Sequence, residues 1–80
     1  MNQYVTGTII KELRERNKMT QLQLADKLGV TDKTISKWET GQGYPDTMLL
    51  EPIAAAFSIS VPELITGSNV SNANVYANLH

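Results

Sequence analysis

Five short helices and no sheet are expected of this chain, an all-α domain, on three grounds. Apolar residues recur three and four apart in short runs, the period of a helix face, and no segment shows the sustained alternation of a half-buried strand. Polar capping residues stand just ahead of these runs and glycines just behind them. With 80 residues, 41% hydrophobic content and no cysteine, the chain must hold itself together by apolar burial. A domain of this size buries only roughly 60–65% of its unfolded surface, so most apolar side chains are needed in the core and few remain to line a deep pocket.

The first helix is expected over about 7–17, with Thr6 or Thr8 as its cap and Ile9, Ile10 and Leu13 on one stripe. Thr20 and Gln23 have capping-box spacing, in which each side chain satisfies a free backbone N–H near the other, so a helix from Gln21 to Leu28 follows and Gly29 ends it. Thr31 then caps a third helix from Asp32 to about Thr40, with Ile35 and Trp38 inward and Gly41 closing it. Asp46 caps the fourth segment. Pro52 lacks a backbone donor and clashes with the preceding turn, which predicts a break there: a turn over 47–50, then a helix from about Pro52 to Phe57. Ser60 and Glu63 form a second capping box for a last helix through Ile65, closed by Gly67. Ile10, Leu13, Met19, Leu24, Ala25, Leu28, Val30, Ile35, Trp38, Leu50, Ile53, Ala54, Phe57, Ile59, Val61 and Leu64 are the expected core. Residues 1–67 are thus the domain. Residues 68–80 hold four of the six asparagines and no charge besides that available to His80, so they read as a tail or linker leading to a second domain.

Net charge is −1, but the charge is unevenly spread. All seven basic residues lie before residue 44 together with five acidic ones, a net of +2, and the rest of the chain carries three acids and no base. Such asymmetry is a pointer to a polyanion on one face, although an ordinary solvated surface accounts for it equally well. His80, the only histidine, is the last residue. There is no glycine-rich phosphate loop, no metal-spaced histidine or cysteine and no carboxylate pairing beyond helical surface spacing, so neither an enzyme nor a cofactor or metal is expected. No stretch approaches the length of a membrane span and the N-terminus lacks the features of a signal peptide, which makes the cytoplasm the default.

The second and third helices are joined by three residues, Gly29, Val30 and Thr31. So short a joint forces the axes to cross steeply, as in a helix-turn-helix whose second helix enters a DNA major groove; non-binding bundles share the bare spacing. The residues themselves are more specific. Thr20-Gln21, Leu24-Ala25 before Gly29, Ile35-Ser36-Lys37-Trp38-Glu39, Gly41 and Tyr44-Pro45-Asp46 strongly resemble the lambda-repressor-like, or Xre-type, family of bacterial and phage regulators. The resemblance covers about residues 7–67. It implies a compact five-helix domain that binds a pseudo-palindromic double-stranded operator as a homodimer and acts as a transcriptional repressor.

Carried over by position, the resemblance makes Gln21 a phosphate-contacting, helix-bracing residue and Thr31 the cap of the recognition helix, beside the DNA backbone. Asp32, Lys33, Thr34 and Lys37 fall where the family reads bases, with Ser36 at the edge. Lysine suits guanine O6 and N7, threonine a thymine methyl, and a carboxylate the cytosine amine. Thr40, Gly41 and Gln42 would offer hydroxyl, backbone and amide donors to the DNA backbone; relatives often carry a base at position 42. Arg14 and Glu39 stand where relatives form an internal ion pair. Met48, Leu49, Ile65 and Val70 are candidates for pairing two copies. A second reading uses the same fold for another end, an antitoxin-like module that holds a partner protein. An apolar exposed surface on the last two helices would favour it, and a basic stripe along Gln21, Lys33 and Lys37 would favour DNA.

Overall fold

In a computed structural model that describes residues 2–67, the chain winds through α1 (Gln3–Arg16), α2 (Gln21–Leu28), α3 (Asp32–Glu39), α4 (Thr47–Ala56) and α5 (Val61–Thr66), with no strand among the described residues. Helix α1 packs on α3 and α5, α2 on α3 and α4, and α4 on α5. All five helices share one core of Ile9, Ile10, Leu13, Leu24, Ala25, Ile35, Trp38, Leu50, Ile53, Ala54, Phe57 and Leu64. Met19, Leu28, Val30, Ile59 and Val61 close it as half-buried neighbours. Each fully buried aliphatic side chain contributes about 1.5–3 kcal/mol of transfer free energy. None of the helices is long and apolar enough to cross a membrane. The linker or tail expected over 68–80, with Val70, lies outside the described residues.

Local signals account for most helix ends. Both capping boxes form: the Gln23 N–H donates to Thr20 Oγ1 and the Thr20 N–H to Gln23 Oε1, and Glu63 and Ser60 repeat the exchange. Thr31 accepts from the Thr34 N–H and Asp46 from the Met48 N–H. Helix α3 ends at Glu39, with Thr40 as its C-cap.

Two expectations fail. The first helix does not begin at Thr6 or Thr8 but at Gln3, where the Asn2 side chain caps it by accepting from the Tyr4 and Val5 N–H groups. Thr6 is instead fully buried inside the helix, its hydroxyl 3.3 Å from that of Tyr44 and 3.4 Å from the Leu64 carbonyl oxygen. Gly7 lies inside the helix where α1 runs hard against the end of α3, and a Cβ at position 7 would overlap the Trp38 carbonyl oxygen. Nor does Pro52 break α4, which runs unbroken from Thr47 to Ala56. Pro52 and Met48 are both exposed, so the carbonyl deprived of its donor lies on the side open to water and the proline ring lies outside the core.

Candidate nucleic-acid interface

The joint between α2 and α3 takes its geometry from Gly29, whose φ of 72° lies in the left-handed region that a side chain disfavours. Its N–H and that of Val30 both return to the Ala25 carbonyl, which finishes α2 within one residue, and half-buried Val30 pins the turn to the core. Thr31 starts α3 at once, its hydroxyl accepting from the Thr34 N–H and lying 3.0 Å from the Thr34 hydroxyl.

Along α3, Ile35 and Trp38 face inward, 0% and 4% exposed, and this fixes what faces outward. Trp38 is a core residue and is closed to base stacking. Asp32, Lys33 and Lys37 are exposed; Thr34 and Ser36 are half-buried at the edges of that face. Lys33 and Lys37, four apart, share one side of the helix, and neither has an ion-pair partner among the described residues. Asp32 Oδ1 accepts from the Lys33 N–H at 3.0 Å, which orients one carboxylate oxygen at the positive end of the helix.

Behind this face, Arg14 from α1 grips Glu39 at the end of α3. Nε lies 2.6 Å from Oε2 and Nη2 2.9 Å from Oε1, while Nη1 donates to the Met19 carbonyl at 2.8 Å. The side chains are 12% and 2% exposed. The hydrogen bond to Glu39 raises the Arg14 pKa above its ordinary value against the opposing effect of burial, so the guanidinium stays charged. Gln21, the first residue of α2, joins the pair by donating from Nε2 to Glu39 Oε1 at 3.1 Å. The Thr20 cap takes only the Gln23 N–H, which leaves the Gln21 and Leu22 amides at the same helix end without a partner among the described residues.

The segment after α3 turns most of its donors back onto the helix. The Thr40 hydroxyl is spent inside the helix end, 2.9 Å from the Ser36 carbonyl oxygen and 3.3 Å from that of Lys37. The N–H groups of Thr40, Gly41 and Gln42 donate to the Ser36, Trp38 and Lys37 carbonyls, so the only outward donor left on those three residues is the amide of the exposed Gln42 side chain. Sequence reasoning also missed what holds this segment from the other side: Gln3 Nε2 donates to the Gly41 carbonyl at 2.7 Å and the Tyr4 ring covers Gly41. The available signal was Asn2 in a capping position followed by an isolated glycine at a helical site, which marks close backbone packing.

Comparison with known proteins follows the same outline. A helix-turn-helix family model matches residues 10–64. The HTH-type transcriptional activator BcrR of Enterococcus faecalis is 41% identical over 61 residues, 76% of this chain and 30% of BcrR. More widely, the chain spans between 30% and 56% of the length of three curated relatives that it matches over 76–84% of its own. Among solved structures, the P22 c2 repressor protein in complex with synthetic operator 9T superposes with a TM-score of 0.76 at 28% identity, covering 80% of this chain and 97% of that one. HppE in complex with Tris buffer superposes at 0.72 with 31% identity, covering 80% and 36%, so a much longer chain carries the same fold.

Proposed function

The chain belongs to the helix-turn-helix family, and on that premise we propose that it binds a double-stranded DNA operator sequence-specifically, with α3 in the major groove, as a transcriptional regulator. The observation that carries the reading is the outward face of α3: two exposed lysines and an oriented carboxylate over a fully buried Ile35, presented by a three-residue joint. Lys33 and Lys37 read guanine edges, Asp32 accepts from cytosine or adenine amines, and Thr34 and Ser36 border the contact. Gln21, the Thr31 turn and the Gln42 amide meet the flanking phosphates. Repression is the direction proposed, since occupying an operator suffices for it; the c2 protein in the solved complex is named a repressor and BcrR an activator.

Two copies are proposed to bind half-sites about one helical turn apart. Met48, 85% exposed at the start of α4, and the half-buried Leu49 and Ile65 are the proposed pairing surface. Residues 68–80 serve as linker or tail in this reading.

Selection of bound sequences from a random DNA pool at low salt, followed by titration of the best sequence with wild type and Lys33→Ala, tests the proposal. A motif with two half-sites, and a loss of about 1–3 kcal/mol confined to particular base pairs, is the expected result. No enrichment would overturn it and leave the partner-holding reading in its place.

A further inference from the structure

The hydrogen bond between Gln21 and Glu39 has a use beyond bracing two helices. We infer that Glu39 is a positioning residue for DNA, fixing the orientation of the Gln21 amide so that one particular N–H is presented to a backbone phosphate. The inference rests on the operator-binding reading above and adds a residue that itself touches no DNA.

A carboxylate has no hydrogen to give, so only the amide nitrogen of Gln21 can face it; the flipped amide would set oxygen against oxygen. Glu39 cannot turn aside to permit that flip. Both of its oxygens are held by Arg14, at 2.6 and 2.9 Å, in the two-pronged geometry that only a guanidinium offers, and the side chain is 2% exposed. Arg14 is itself fixed by the Met19 carbonyl. Of the two hydrogens on Gln21 Nε2, one is spent on Glu39 Oε1, and the other is the single side-chain donor left for a ligand. Gln21 is half-buried and stands beside the first backbone amides of its own helix. One amide rotamer is thereby selected before DNA arrives, and the ordering cost that a free glutamine meets on binding is already met. The chain of contacts runs from α1 through the end of α3 to the start of α2, so the base-reading helix and the phosphate contact are held in one register.

The test is a double-mutant cycle on the selected operator, read by ethylation interference at single phosphates as well as by affinity. Gln21→Met keeps length and removes the donor. It is expected to weaken binding about 10-fold and to abolish interference at one phosphate per half-site. Glu39→Gln, isosteric but free to accept or donate, is expected to lose interference at that same phosphate, and the double variant should bind no more weakly than Gln21→Met alone. A purely structural Glu39 would lower stability without erasing one phosphate, so urea denaturation is measured alongside. Should Glu39→Gln not fold, Arg14→Lys keeps the charge, releases one carboxylate oxygen and is expected to erase the same phosphate. Retention of that phosphate in a folded Glu39→Gln or Arg14→Lys, or losses that multiply in the double variant, would overturn the inference. If Gln21→Met changes nothing while Lys33→Ala weakens binding, the inference falls and operator binding stands. If wild type selects no sequence at all, both fall together.

Discussion

Helices α2 and α3 turn cations outward, and α4 and α5 carry none. Asp26, Lys27, Asp32, Lys33 and Lys37 are exposed on the first pair, whereas the second pair carries only Glu51 and Glu63, the latter half-buried and engaged in its capping box. What α4 and α5 leave exposed is Met48, Pro52, Ala55 and Pro62, with Thr47, Glu51 and Thr66 as the polar remainder. Yet each pair has one helix opened by the same device, α2 by Thr20 with Gln23 and α5 by Ser60 with Glu63. The machinery that makes the helices is common to the two halves. What separates them is the chemistry left over after folding, exposed cations on one side and a mostly apolar surface on the other, and the proposal of DNA on one face and a second copy on the other rests on this remainder.

The largest expected effect falls on the ion pair that holds the α2–α3 half to α1. Arg14→Ala would leave the Glu39 carboxylate buried without its cation, with an expected loss of about 3–5 kcal/mol in urea denaturation, far more than a surface ion pair would cost. Lys33→Ala should leave unfolding within about 0.5 kcal/mol of wild type, because the side chain is exposed, while weakening operator binding as given above. Met48→Asp should do the opposite: unfolding unchanged, half-site binding retained, and dimer formation lost in sedimentation analysis. Thr31→Ala removes the cap of α3 and should cost about 1 kcal/mol of stability by thermal unfolding. The smallest effect belongs to neither face. Ser58 holds a left-handed φ of 56° after α4, and Ser58→Gly should stabilise by up to about 1 kcal/mol in the same assay.

The α2–α3 unit was legible in the sequence because its determinants are local. A cap, a box partner three residues on and a glycine stop lie within one or two turns of one another, and each formed as the spacing implies. The start of α1 was not legible. Thr6 and Gly7 are poor helix formers, and they are kept by contacts with Leu64, Tyr44 and Trp38, which are between 31 and 58 residues away. Pro52 misled for a related reason, since proline's local penalty is moderated where its face is open to water, and exposure is a property of the packed molecule. Within the site, spacing placed Asp32, Lys33 and Lys37 on one face, but it could not reveal that Thr40 spends its hydroxyl on its own helix or that Gln21 meets Glu39, 18 residues on.

The contact between Gly7 and the Trp38 carbonyl oxygen bears on how this sequence can drift. The obstructing atom belongs to the main chain, and all twenty residue types place the same oxygen there. A larger residue at position 7 therefore has no side-chain suppressor at position 38: shrinking the tryptophan removes indole and leaves the collision untouched. A saturation library at position 7 should return the same narrow tolerance whatever is substituted opposite it, an epistatic dead end set by backbone and not by packing.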